Sequence, residues 1–369
     1  MIKKIALSSA LLLAAAMANA ENNLHTLQQD ALFVNGSKPV EITLNNKQKK
    51  IVRLMSISLS PKAKAALTNK LTYITAHPFQ KNLMTNNGLP PSKYVGMNGE
   101  PVLDQGQWGT CATFATTAAV NVTQALTDDS MVSQLCNLEL GRTLNIPDSD
   151  GGWNGSFGFM VFGQINEYGY LDTRYQKTKS CGGLNDYPTH SANNGSPMSA
   201  ADFATNSIKT FTAHDWTPIV AYDGDFSPLN EKQANAALKK VKAALNQGYR
   251  VVFGSLLDVS VGQAGASGSY NWALNDVWVM TPKIKDDVKK QVEIGGHEII
   301  IDGYDDNACA SYFDENLSVK QQCGLLRIRN SWSEAAGDKG DYYMTYDHFK
   351  GMVIEAYAVG KDVKDKFKL

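Results

Sequence analysis

No stretch of the chain is long and apolar enough to cross a bilayer. Its longest apolar run, Ile5 to Met17, covers about 13 residues, short of the roughly 18 to 20 that a spanning helix needs, so stable membrane insertion is excluded. A surplus of positive charge is also missing. The 35 Lys and Arg stand against 36 Asp and Glu, which leaves no net field to hold nucleic acid or an anionic surface. Cysteine is scarce and odd in number, with five residues at 111, 136, 181, 309 and 323, so at least one thiol lacks an internal partner. There is no internal repeat, and neither a cofactor nor a metal is implied.

What is present begins with a basic start at Lys3-Lys4, the short apolar run, and Ala18-Asn19-Ala20 ahead of Glu21. This reads as a secretory signal over residues 1–20, and the mature protein is expected outside the cytoplasm, secreted or periplasmic. An oxidising compartment pairs thiols unless one is kept apart. Cys309 and Cys323 flank a polar loop and read as a hairpin staple, Cys136 and Cys181 then make a second pair, and Cys111 is left over.

From residue 21 to about 88, "VEITL" and "IVRLMSISLS" alternate apolar and polar residues around the polar break "NNKQKK", the pattern of a hairpin. Its apolar content is too small for a core of its own. Pro90-Pro91 and a run of turn formers then lead into the main domain, 89–369. "ATFATTAAVNVTQAL" predicts a buried helix with Cys111 in its first turn. "SFGFMVFGQINEYG" predicts a second, closed by Gly169, and "NEKQANAALKKVKAALNQG" an amphipathic third, stopped by Gly248. From Val251 onward "RVVFGSLL", "GHEIIIDGYDD", "GLLRIRNSW" and "DYYMTY" read as strands. Helices first and sheet second is an α+β order. Residues 185–227 and 259–293 read as surface loops, and the final "KDVKDKFKL" as a solvated tail.

A thiol that attacks an amide needs a favoured thiolate, a proton carrier, a group to orient that carrier, and donors for the oxyanion. Cys111 at a helix N-terminus is placed to feel the positive end of the helix dipole. Gln105, on the loop entering that helix, offers an amide NH2. His297 starts a strand, Asn330 follows another strand and can orient the imidazole, and Trp332 can cover their hydrogen bond. Taken singly, each has an ordinary structural reading: a disulfide cysteine, a strand histidine, a turn asparagine, a core tryptophan, a solvated glutamine. The other histidines, 25, 77, 190, 214 and 348, stand in loop or polar contexts. A helix-start Cys, a strand-start His and "NSW" in this order are hard to reach by accident.

At these residues the chain resembles the papain family of cysteine peptidases, as a divergent secreted member of bacterial type. "LDQGQWGTCATF" is similar to its nucleophile loop, "GGWNGSFGF" to its Gly-rich substrate strand, and "IRNSWSEAAGDKGDYYMTY" to its asparagine strand and closing hairpin, over about residues 88–360. The resemblance implies a two-lobed fold, a helical left lobe carrying Cys111 and an antiparallel β-barrel-like right lobe carrying His297 and Asn330, with a cleft between. It implies a cysteine endopeptidase acting on protein or peptide substrates, with Cys111, His297, Asn330 and Gln105 catalytic. Gly155, Ser156, Phe157, Trp332 and Glu298 would contact substrate, and a carboxylate at 298 would favour a basic side chain. An amidase or transpeptidase with the same dyad, and an inactive binding protein on a peptidase scaffold, are the competing readings. Residues 21–88 would be a pro-segment and inhibitor, or else a permanent accessory hairpin. Four departures stand out. Trp108 and Trp153 replace a usual disulfide, Ala112 replaces the usual Trp after the nucleophile, and Ser333 replaces the usual Gly after Trp332.

Overall fold

The computed structural model describes residues 32–79, 88–144, 150–222, 226, 228–271, 274–290 and 293–367; the expected signal segment and residues 21–31 and 80–87 lie outside them. The chain enters as a hairpin of β1 (Leu32–Thr43) and β2 (Lys49–Leu59), with Thr43 opposite Lys49 and Leu32 opposite Leu59. Helix α1 (Pro61–Ala76) follows. The Ser60 side chain accepts from the N–H of Ala63, Pro61 fills the first position, and Ala63, Leu67, Leu71 and Ile74 form its buried stripe. Ser60 and Pro61 are ordinary helix-start signals, but the stripe is sparse among Lys, Thr and Asn.

After β3 (Ser92–Tyr94) comes a helical lobe of α2 (Cys111–Gln124), α3 (Gln134–Thr143), α4 (Gly158–Tyr168), α5 (Thr173–Lys179) and α6 (Ala200–Asn206). The disulfide Cys136–Cys181 ties α3 to the end of α5. Helix α2 is buried from Cys111 through Val122, because Ala and Thr fill most of its faces and let neighbours approach from every side.

The second lobe contains β4 (Trp216–Val220), α7 (Glu231–Asn246), β5 (Arg250–Asp258), β6 (Gly268–Ser269), β7 (Val277–Trp278), α8 (Pro282–Lys290), β8 (Ile294–Phe313), β9 (Val319–Arg329), β10 (Asp341–Thr345), α9 (Tyr346–Met352), β11 (Val353–Val359) and α10 (Val363–Lys366). Strand β8 pairs with β6, β6 with β7, β7 with β10, β10 with β9, and β9 back with β8. The ring is barrel-like, but not wholly antiparallel as expected: β7 and β10 run parallel, because β7 sits in the excursion from β5 to β8 rather than in a hairpin with β10. The Cys309–Cys323 disulfide staples β8 to β9. All nine residues of β5 are buried, as a continuous apolar run demands of a central strand.

The chain is therefore α+β and two-lobed. Expected loops carry α6, β4, β6, β7 and α8, and the expected tail docks Val363 in the sheet-lobe core. The N-terminal hairpin buries Ile42, Val52 and Leu54 in that same core, and β2 adds to β8 with Met55 opposite Gly296.

Candidate active site

The entrance to α2 is held by its backbone. Gly106 has φ +60°, and a Cβ there would lie 2.2 Å from the carbonyl oxygen of Thr189; only glycine fits this turn. The N–H of Gln105 donates to Ser331 O at 2.9 Å, and the N–H of Gly109 to Trp153 O at 2.9 Å. Trp108 and Trp153 meet edge to face at 5.3 Å, and Trp153 stacks on Tyr187 at 5.5 Å. The loop carrying Gln105 is thus fastened both to the loop after β9 and to the turn segment before α4.

His297 lies on β8 opposite Ser255 of β5. Its Nε2 is 2.9 Å from Asn330 Oδ1, and Trp332 stacks on the ring at 4.8 Å. The N–H of Ser331 also donates to Asn330 Oδ1 at 2.8 Å. That backbone donor fixes which end of the amide is oxygen, so Nε2 must carry the proton and Nδ1 keeps its lone pair. Among the described residues Nδ1 has no hydrogen-bond partner. The residue after His297 reaches Cys111, since the N–H of Glu298 donates to its sulfur.

Gln105 is buried, with its Oε1 accepting from the Ser331 hydroxyl at 2.8 Å. Its Nε2 donates to Trp108 O at 2.9 Å and to Arg53 O at 3.1 Å. Both acceptors are carbonyl oxygens, so the nitrogen is the end that faces them. The second of them belongs to β2. The hairpin crosses the site: a Cβ on Gly109 would lie 2.8 Å from Ser37 Cβ, and one on Gly155 2.7 Å from Met55 Cγ. Lys50 reaches over to Asp104 at 2.6 Å and to Trp332 O at 3.0 Å.

This cover sets the electrostatics. Cys111 and His297 are wholly buried. Burial pushes the Cys111 thiol up to about 11, against the smaller pull of the Glu298 N–H. Burial also holds His297 down to about 4, against its bond to Asn330. Excluding water costs the charged forms more than one helix dipole returns, so burial in this covered state favours the neutral thiol and the neutral imidazole over the expected thiolate.

Of the remaining expected residues, Gly155 adopts φ +125° and lets β2 approach. Ser156 is buried with its hydroxyl 3.9 Å from Met160 Sδ, and Phe157 stacks on Tyr222 at 4.6 Å. Glu298 is buried beside Glu355 of β11. Glu355 escaped the sequence reading, since nothing local marks it; so did Ser331 and Tyr187, whose hydroxyl donates to Gln105 O at 2.9 Å. No group of three or more His, Cys, Asp or Glu that could hold a metal occurs among the described residues.

Neither a protein-family model nor a curated protein matches the chain. Among solved structures it is similar to xylellain, a cysteine protease from Xylella fastidiosa, at 18% identity and TM-score 0.44 over 74% of this chain and 87% of that one. It is similar to digestive procathepsin L 3 of the Tenebrio molitor larval midgut, at 17% identity and TM-score 0.43 over 79% of each chain. Procathepsin B S9 from Trypanosoma congolense gives 14% identity and TM-score 0.42 over 76% of this chain and 80% of that one.

Proposed function

We propose that this chain is a secreted cysteine endopeptidase held in a latent form by its own N-terminal hairpin. One observation carries the reading: an extended peptide already lies across the site, and the amide of Gln105 donates to its Arg53 carbonyl. In catalysis a substrate carbonyl takes that place. The Cys111 sulfur attacks its carbon, the thiol proton passes to His297 Nδ1, and Gln105 with the Cys111 N–H holds the oxyanion. The imidazolium, steadied by Asn330, gives its proton to the leaving amine, and water then hydrolyses the thioester. Trp332 keeps water off the His297–Asn330 bond, while Gly155, Ser156 and Phe157 form the wall along which the peptide lies. Glu298, next to the base, sits where a substrate side chain would end.

In this reading residues 1–20 direct export and 21–88 form the pro-segment. The hairpin supplies a carbonyl but no productive attack, because in the covered state the thiol keeps its proton. Release of the hairpin would return water to the cleft and let the Cys111–His297 ion pair form.

An irreversible epoxide thiol reagent tests this. It should label the activated protein at Cys111, and Cys111→Ala should abolish both labelling and peptide hydrolysis while the protein stays folded. Hydrolysis by Cys111→Ala at the wild-type rate would sink the mechanism.

A further inference from the structure

The loop that carries Gln105 into α2 is strapped by residues 187–191, part of a stretch expected to be surface loop. Hydrogen bonds join the two segments along their length. The Tyr187 hydroxyl donates to Gln105 O at 2.9 Å and lies 2.9 Å from Thr110 Oγ1. The indole N–H of Trp108 donates to Pro188 O at 2.8 Å, the N–H of Gln107 to Thr189 O at 3.3 Å, and Gln107 Nε2 to Ser191 O at 3.1 Å. Only Tyr187 touches both ends of the loop, Gln105 where it begins and Thr110 where it becomes helix.

A hydroxyl has one proton to give, and a carbonyl oxygen can only accept. The Tyr187 proton is therefore spent on Gln105 O, and Thr110 must donate to the phenol oxygen. A threonine at a helix start ordinarily turns its oxygen to the N–H groups of the first turn, but Thr110 makes no such bond. Its side chain holds the phenol instead of capping α2. The phenol is fixed in turn by its ring, which stacks on Trp153 at 5.5 Å and meets Phe114 of α2 edge to face at 5.0 Å. Burial raises it well above the usual tyrosine range, so it keeps its proton and stays a donor.

Resting on the peptidase reading, we infer that Tyr187 is a positioning residue for the oxyanion hole, setting the distance between its two donors without touching substrate. The hole needs Gln105 Nε2 from the loop and the Cys111 N–H from the helix start to aim at one oxygen. The phenol bonds to the backbone of the first residue and to the side chain just before the second. Donors that drift apart lose the charge developing in the transition state more than they lose the neutral carbonyl of the bound substrate. The defect from a missing hydroxyl therefore falls on kcat and spares KM. The thiol keeps its own reactivity, since the partners of the phenol are Gln105 and Thr110 rather than Cys111 or His297.

Tyr187→Phe keeps the ring and its stacking and removes the hydroxyl alone. In the activated protein it should lower kcat on a peptide substrate about tenfold, with KM within about twofold of wild type. A peptide aldehyde, which takes up the thiol at its carbonyl carbon and leaves its oxygen in the hole, should bind about tenfold more weakly. Alkylation of Cys111 by iodoacetamide builds no oxyanion, and its rate should stay within about twofold. Thr110→Val cuts the same brace at its other end and should match Tyr187→Phe, whereas Thr110→Ser keeps the hydroxyl and should come within about twofold of wild type. In a Gln105→Ala background, where the donor being positioned is gone, Tyr187→Phe should cost less than about twofold more. Losses that multiply in that double variant, or an alkylation rate that falls as far as kcat, overturn the inference alone, and so does an unchanged kcat in both Tyr187→Phe and Thr110→Val. An activated wild type that the epoxide reagent fails to label at Cys111 overturns the peptidase reading, and the inference with it.

Discussion

The chemistry of this site depends on single atoms whose partners can be counted. Asn330 Oδ1 receives two donors, His297 Nε2 and the Ser331 N–H, and that count settles the histidine tautomer. Trp108 and Trp153 pack edge to face, and Arg142 lies 5.3 Å over the Trp153 ring. Ser333 has a cost attached. It holds φ +74°, in the left-handed region that costs an ordinary residue roughly 1 kcal/mol more than glycine. Ser333→Gly should thus raise stability by about 1 kcal/mol, measured by urea unfolding. A loss of stability would show that the serine's own contacts outweigh its backbone.

At the scale of elements, the hairpin is the part that covers the site. Strand β2 changes sides as it crosses the cleft: Val52 and Leu54 enter the sheet-lobe core, whereas Met55, Ile57 and Leu59 join the cluster under α1. The hairpin was legible in the sequence because alternation around a polar break is a short-range signal. So were α2, α4 and α7, each bounded by a Gly or a capping residue. Helix α1 was not, since four buried positions among Lys, Thr and Asn give a weak periodicity whose meaning comes only from docking on Ile284 and Val288. The proposed catalytic residues were legible through local motifs. Glu355 was not, because its partnership with Glu298 depends on Gly254 of β5, which pairs with both. If the hairpin gates the thiol, Leu54→Ala, which weakens its anchorage by ~2–5 kcal/mol, should speed alkylation of Cys111 by iodoacetamide in the full chain. Leu326→Ala, in the same core but off the hairpin, is the control and should accelerate it much less. Equal acceleration would mean that the thiol is reached by general loosening rather than by hairpin release.

Across the whole molecule, burial holds six acids of the described residues above the usual carboxylate range, whereas Asp287, also buried, is drawn below it by Lys283 against its own burial. Burial lifts Glu100 to about 7, Asp302 to about 6 and Asp258 to about 6, and it raises Glu139, Glu298 and Glu355 as well. Each binds a proton in the folded chain that the unfolded chain releases near roughly 4. Folding therefore takes up protons between about pH 4 and 7, and the stability these groups contribute is fully present below the unfolded values and lost as pH rises through the folded ones. Two buried histidines act the other way. His297, held at about 4, and His348, at about 3, are neutral in the fold where the unfolded chain is protonated below roughly 6.5, so they cost stability as pH falls. Six carboxyls outweigh two imidazoles across the shared window, and the crest of stability belongs on the acid side. The melting temperature of the full chain should fall from about pH 4 to about pH 7.5, with Glu298→Gln making the decline shallower because one raised carboxyl no longer takes up its proton. A peak at or above pH 7.5 would mean that these acids are ionised in the fold, and that cations outside the described residues neutralise them.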